Sequence, residues 1–85
     1  MELRQLKYFV MSAEYLNFSE AAKHLYITQS TLSQQIKQLE NELGITIFER
    51  TQNGMTLTPE GDEFISFAKG IVRHIEDVEN FYKTG

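Results

Sequence analysis

Between Thr28 and Gly44 the chain reads TQSTLSQQIKQLENELG, a run whose polar side chains are of the kinds that recognise nucleobase edges. A Gln amide pairs in a bidentate way with adenine N6 and N7, a Ser hydroxyl donates or accepts, and a Thr methyl touches the methyl of thymine. If the run is helical, Gln29, Ser30, Ser33, Gln34, Lys37 and Gln38 share an outward face without a carboxylate. No acidic residue occurs from Ala21 through Leu39, although the whole chain carries 12 acids against 8 bases. Such a surface can approach phosphates. The same polar face could equally do no more than keep a helix soluble, and taken alone it favours that bland use. The segment preceding it shifts the balance.

Leu32, Ile36, Leu39 and Leu43 fall at offsets of 0, 4, 7 and 11, the apolar stripe of an amphipathic helix over 29–43. Thr28 is placed to cap its first turn and Gly44 to end it in a left-handed conformation. Upstream, Leu3, Leu6, Phe9, Val10 and Ala13 predict a first amphipathic helix ending before Asn17, where Asn17 and Ser19 offer cap side chains. A short helix follows over Ser19 to Tyr26, with Ala21 and Ala22 small enough to admit another helix closely. The glycine-free connection Tyr26-Ile27-Thr28 then leads into the polar helix. A short helix, a tight turn and a longer helix with a polar face is the helix-turn-helix layout.

After Gly44, the β-branched and aromatic run from Ile45 to Thr51 predicts a strand. Gln52-Asn53-Gly54 is a turn signal, and Met55 to Thr58 predicts a returning strand. Two strands this short make a wing that needs Phe48 and Leu57 as anchors. Arg50 could reach a phosphate or a narrow minor groove, or form an ion pair with Glu49 or Glu20. Thr58, Pro59 and the acids Glu60, Asp62 and Glu63 open a last helix in the cap, first-turn and dipole positions that suit them. Along it, Phe64, Ala68, Ile71, Ile75, Val78 and Tyr82 form a heptad stripe, widened by Ile65, Phe67, Val72 and Phe81. Part of this surface can pack within the chain; the remainder calls for a second copy.

Eighty-five residues hold one small core, and the ordinary globular composition predicts a folded chain. The expected fold is mainly α with a two-stranded wing: a winged helix-turn-helix over residues 1–58 and a linker or dimerisation helix over 59–85. With no cysteine there are no disulfides, thiolate metal sites or thiol nucleophiles. The only histidines, His24 and His74, lie in different predicted helices, and no nucleophile elbow or glycine-rich phosphate loop accompanies them. The expectation is therefore a non-enzyme without catalytic residues, metal or cofactor. No apolar run reaches membrane-spanning length and no signal-peptide layout opens the chain, which predicts a soluble cytoplasmic protein. A net charge of −4 speaks against nucleic-acid binding and for a protein-interaction module, but residues 60–85 hold six acids against three bases, so most of the excess lies away from the polar helix.

The chain resembles, over its whole length, the amino-terminal domain of LysR-type bacterial transcription regulators. The resemblance rests on Leu3, Leu6 and Phe9, on Phe18-Ser19-Glu20-Ala21-Ala22 with Leu25, and on Thr28-Gln29-Ser30-Thr31-Leu32-Ser33. It continues through Ile36, Leu39-Glu40, Leu43-Gly44, Phe48-Glu49-Arg50 and Leu57-Thr58-Pro59-Glu60-Gly61. It implies a third helix in the major groove, a wing in the adjacent minor groove, and a homodimer made through the last helix on an interrupted palindrome of double-stranded DNA. DNA contacts are implied at Thr28, Gln29, Ser30, Thr31, Ser33, Gln34, Lys37, Arg50 and Asn53. It also implies that this chain lacks a small-molecule-sensing effector domain found further along in full-length members, and that the protein acts on the bacterial nucleoid. Ser30 stands where members often have Pro, and Gln34, Gln52 and Asn53 where basic residues are common, which leaves base preference open.

Overall fold

Leu6 and Phe9 of a first helix, α1 (Leu3–Tyr15), are buried against Ala21 and Ala22 of α2 (Phe18–Leu25) and against Leu32, Ile36 and Leu39 of α3 (Gln29–Leu43). The computed structural model describes residues 1–83, so the last two positions of the expected 59–85 helix lie outside the described residues. A hairpin of β1 (Phe48–Thr51) and β2 (Gly54–Leu57) follows, and α4 (Pro59–Lys83) closes the order. The strands are antiparallel, with Phe48 opposite Leu57 and Arg50 opposite Met55. This is the expected winged helix-turn-helix with a long carboxy-terminal helix. No helix among the described residues is long and apolar enough to cross a membrane.

Each helix end has a local cause. The Asn17 side chain accepts the Glu20 N–H at 3.0 Å, so α2 starts one residue earlier than the Ser19 signal suggested. The Gln5 side chain accepts the Glu2 N–H at 3.0 Å at the start of α1. Thr58, buried, accepts the Gly61 N–H at 2.9 Å through its hydroxyl and also donates that hydroxyl to the Thr46 carbonyl. One side chain thus caps α4 and pins the loop ahead of the wing.

That loop corrects the strand expected from Ile45: pairing begins only at Phe48. Ile47 is fully buried in the core, and only half of its rung continues the hairpin: its C=O accepts the Thr58 N–H in register with Phe48–Leu57, while its N–H is diverted to the Glu40 side chain. Ile47 thus serves burial first, and the Glu40 side chain takes the N–H that a longer strand would have paired. Phe48 does anchor the wing. Its ring stands edge-on to Phe9 at 5.7 Å and to Phe18 at 5.5 Å, while Phe64 of α4 stacks on Phe9 at 5.1 Å. Four aromatic rings from α1, α2, β1 and α4 thereby form one contiguous knot.

The first turns of α4 press against this knot, burying Gly61, Ile65 and Ala68. Beyond them the 25-residue helix, about 37 Å long at 1.5 Å per residue, outruns the core. A Cβ on Gly61 would lie 2.2 Å from the Ile47 carbonyl oxygen, a backbone atom that cannot swing aside. Gly61→Ala is therefore expected to cost about 2 kcal/mol or more by overpacking. In a thermal melt followed by circular dichroism this is a fall on the order of 10 °C; an unchanged midpoint contradicts the close approach.

Candidate nucleic-acid interface

The outward face of α3 is built by its inward one. Leu32 and Leu39 are fully buried and Ile36 nearly so, and this stripe turns Gln29, Ser30, Gln34, Lys37 and Gln38 to solvent with Ser33 half-buried beside them. Thr28 sets where the face begins: its hydroxyl accepts the Thr31 N–H at 3.1 Å and donates to the Thr31 hydroxyl at 2.9 Å. A Thr cap of this type stabilises a helix by about 1 kcal/mol. The Thr28 hydroxyl is thus both donating and accepting, which leaves the two methyl groups and the Thr31 O–H to meet another molecule.

A cleft joins three elements that lie far apart in the chain. Asn17, Phe18 and Ser19 at the start of α2, Gln29 at the start of α3, and Arg50, Thr51, Gly54 and Met55 of the hairpin line it. Arg50 is exposed and makes no ion pair among the described residues; Glu20, one of its expected partners, is 3.4 Å from Lys23 instead. An unpaired guanidinium beside amide side chains suits a phosphate or a base edge. Lys37 lies two turns further along α3, beside Asn41, Gly44 and Thr46, and Asn53 sits exposed at the hairpin tip. The structure therefore brings Gln29 and Arg50 to one cleft and leaves Lys37 and Asn53 at two separate margins.

The stripe expected along α4 divides in two. Phe64 stacks on Phe9 and Ala68 is fully enclosed, so both face the chain's own core. Ile71 at 41%, Val78 at 46% and Tyr82 at 77% exposure remain outside, and Phe67 at 65% and Phe81 at 72% join them. Phe67, Gly70, Ile71, His74 and Ile75 line an open apolar groove on this side. His24 stacks on Tyr15 with ring centroids 4.5 Å apart. Among the described residues no three His, Asp or Glu side chains gather as metal ligands would.

Tyr26 escaped the sequence reading. It caps α2 in a left-handed conformation, φ 59°, and is 95% exposed, in a turn where glycine or asparagine would sit without strain. The signal was available in the absence of glycine from that turn. Tyr26→Gly is expected to raise stability by about 0.5–1 kcal/mol, the strain relief exceeding the added freedom of the unfolded chain. A lowered melting temperature contradicts a strained turn.

Residues 3–62 match the family model described as bacterial regulatory helix-turn-helix protein, lysR family. The chain is similar to the uncharacterized HTH-type transcriptional regulator YcgK of Bacillus subtilis (strain 168), 45% identical over 92% of this chain and 24% of that protein. It is 49% identical to the HTH-type transcriptional regulator AlsR of the same organism over 81% of this chain and 23% of that one. The chain thus spans about a quarter of the length of these relatives. Among solved structures, the BenM_DBD/benA site 1 DNA complex superposes with a TM-score of 0.91 at 40% identity, covering 99% of this chain and 94% of that one. Full-length CbnR complexed with its target DNA gives a TM-score of 0.87 at 36% identity, covering 98% of this chain and 29% of that one.

Proposed function

The chain belongs to the lysR family of bacterial regulatory helix-turn-helix proteins, and from that membership we propose that it reads double-stranded DNA as the binding module of a transcription regulator, without catalysing a reaction. In this reading α3 enters the major groove and the wing reaches the adjacent minor groove. The observation that carries it is the amide-and-hydroxyl face of α3, free of acid from Ala21 to Leu39, whose first residue, Gln29, lines one cleft with the unpaired Arg50. The DNA complexes of BenM_DBD and CbnR, whose folds this chain shares, support the same assignment.

Gln29 and Gln34 are the base readers, through bidentate amide contacts. Ser30, Ser33 and the methyl groups of Thr28 and Thr31 make shorter contacts, while Lys37, Arg50 and Asn53 engage phosphates or groove edges and set the register. Residues 1–58 form the reading unit and α4, described to Lys83, the linker helix. Two copies join through the outer face of α4, using Ile71, Ile75, Val78 and Tyr82 together with Phe67. Phe64 and Ala68 support that helix from inside. A dimer presents two copies of α3 to one side of the duplex, which fits an interrupted palindrome as target. The rest of the full-length protein would hold the sensor for a small-molecule effector, and the site of action is the nucleoid in the bacterial cytoplasm.

Gln29→Ala is expected to weaken binding to a duplex enriched from a random pool by about 1–3 kcal/mol and to leave binding to random DNA nearly unchanged. Equal losses on both duplexes, measured by fluorescence anisotropy, contradict a base-reading role. Ile71→Asp places a charge on the exposed α4 face and is expected to shift sedimentation from dimer to monomer with no loss of helical signal. A wild-type chain that stays monomeric at high concentration contradicts the proposed pairing.

A further inference from the structure

The connection between α3 and the wing ends on a single residue. The main-chain carbonyl of Glu40 accepts the N–H groups of Gly44 at 2.8 Å and Ile45 at 3.2 Å, closing α3. Its side-chain oxygen Oε2 accepts the N–H groups of Ile47 at 2.7 Å and Phe48 at 3.5 Å, the last residue before β1 and the first within it. Four backbone donors of one short segment thus converge on Glu40. A carboxylate in the last turn of a helix opposes the helix dipole, so this charge sits where it is disfavoured unless donors meet it. It is also the first acid after the acid-free stretch, so by charge alone it does not favour phosphate. Glu is a good helix former, but neither that nor attraction to DNA explains a negative charge at this end of the helix. It is explained by the two N–H groups, because a charged acceptor makes shorter and stronger hydrogen bonds than a neutral one.

We propose that Glu40 is a positioning residue for DNA recognition: its carboxylate fixes the wing relative to α3, so that Arg50 and the base-reading face meet one duplex in register. This deepens the DNA-binding reading and rests on it. Glu40 need not touch DNA. Its effect passes mainly through the 2.7 Å bond to the Ile47 N–H, seconded by the longer contact to the Phe48 N–H, into the strand that carries Arg50.

The sign of the effect separates this role from simple electrostatics. Glu40→Gln removes a negative charge near the phosphates, so repulsion alone predicts tighter binding. Positioning predicts weaker binding, about tenfold on a duplex enriched from a random pool. Glu40→Asp keeps the charge but falls one methylene short, and is expected to lose affinity to a similar extent. The decisive readout is a double-mutant cycle with Arg50→Ala. In the native background Arg50→Ala is expected to cost about tenfold, and in the Glu40→Gln background less than about threefold, because the wing is already out of register. Gln34→Ala, on α3 itself, should cost the same in both backgrounds. A variant that is merely less folded would lower all contacts alike, so an additive cycle with Arg50, or tighter binding by Glu40→Gln, overturns the proposal. Should neither Glu40 variant fold, amide exchange in the wild-type chain decides: protection at Ile47 and Phe48 is expected, and exchange at the unstructured-chain rate overturns the lock. A wild-type chain that binds no duplex even at low salt removes the DNA reading and leaves the lock to be judged by that exchange alone.

Discussion

Burial of the leucine stripe on α3 is the constraint from which the rest follows. Leu32, Ile36 and Leu39 are each no more than 3% exposed, so the rotation of α3 about its axis is not free. Burying a large aliphatic side chain contributes about 1.5–3 kcal/mol, and three such side chains outweigh any preference the polar residues have for a particular direction. The amides and hydroxyls are consequently held outward by what lies behind them. A face that arises in this way is preorganised, because nothing must move for it to meet a flat-edged ligand.

A second layer of packing places the parts that flank this face. Phe9, Phe18, Phe48 and Phe64 form one cluster of edge-on and stacked rings, and that cluster is where helix, wing and α4 meet. A two-stranded hairpin has too little surface to hold itself in water, so its position is borrowed from Phe48. The polar bonds then set the angle: Thr58 ties the loop to α4, and Glu40 ties it to α3. Acidic charge is confined largely to α4 and to the ends of the helices, which reconciles a net charge of −4 with a reading face that carries none.

Much of this was legible in the order of residues, and the exceptions share a physical cause. The helices could be read from their periods, most cleanly at α3, where Thr28, the stripe and Gly44 give one answer, while α1 and α2 end in left-handed Leu16 and Tyr26 that carry no stop signal. The hairpin turn at Gln52-Asn53 was equally plain. The strand expected from Ile45 starts only at Phe48 because Ile45 still bonds the Glu40 carbonyl at the end of α3 and the Ile47 N–H is taken by the Glu40 side chain, neither of which strand-like side chains reveal. The α4 stripe was continuous in sequence yet serves two surfaces, since the core ends partway along the helix and spacing alone does not reveal where. Gln29 and Arg50 could each be named, but their shared cleft spans 21 positions of chain and appears only once the knot has closed. Glu40 and Tyr26 were missed as special residues, one because its partners are seven and eight residues away, the other because a left-handed tyrosine is rare.

The outward face of α3 as the surface that meets DNA is tested most directly by nuclear magnetic resonance on the labelled chain, titrated with a duplex enriched from a random pool. The largest shifts are expected at the side-chain amides of Gln29 and Gln34, the backbone of Ser30 and Ser33, and the Arg50 guanidinium, with the buried Leu32 and Leu39 methyl groups little changed. Shifts confined to the exposed apolar side of α4, with the α3 amides unmoved at saturation, would contradict the account.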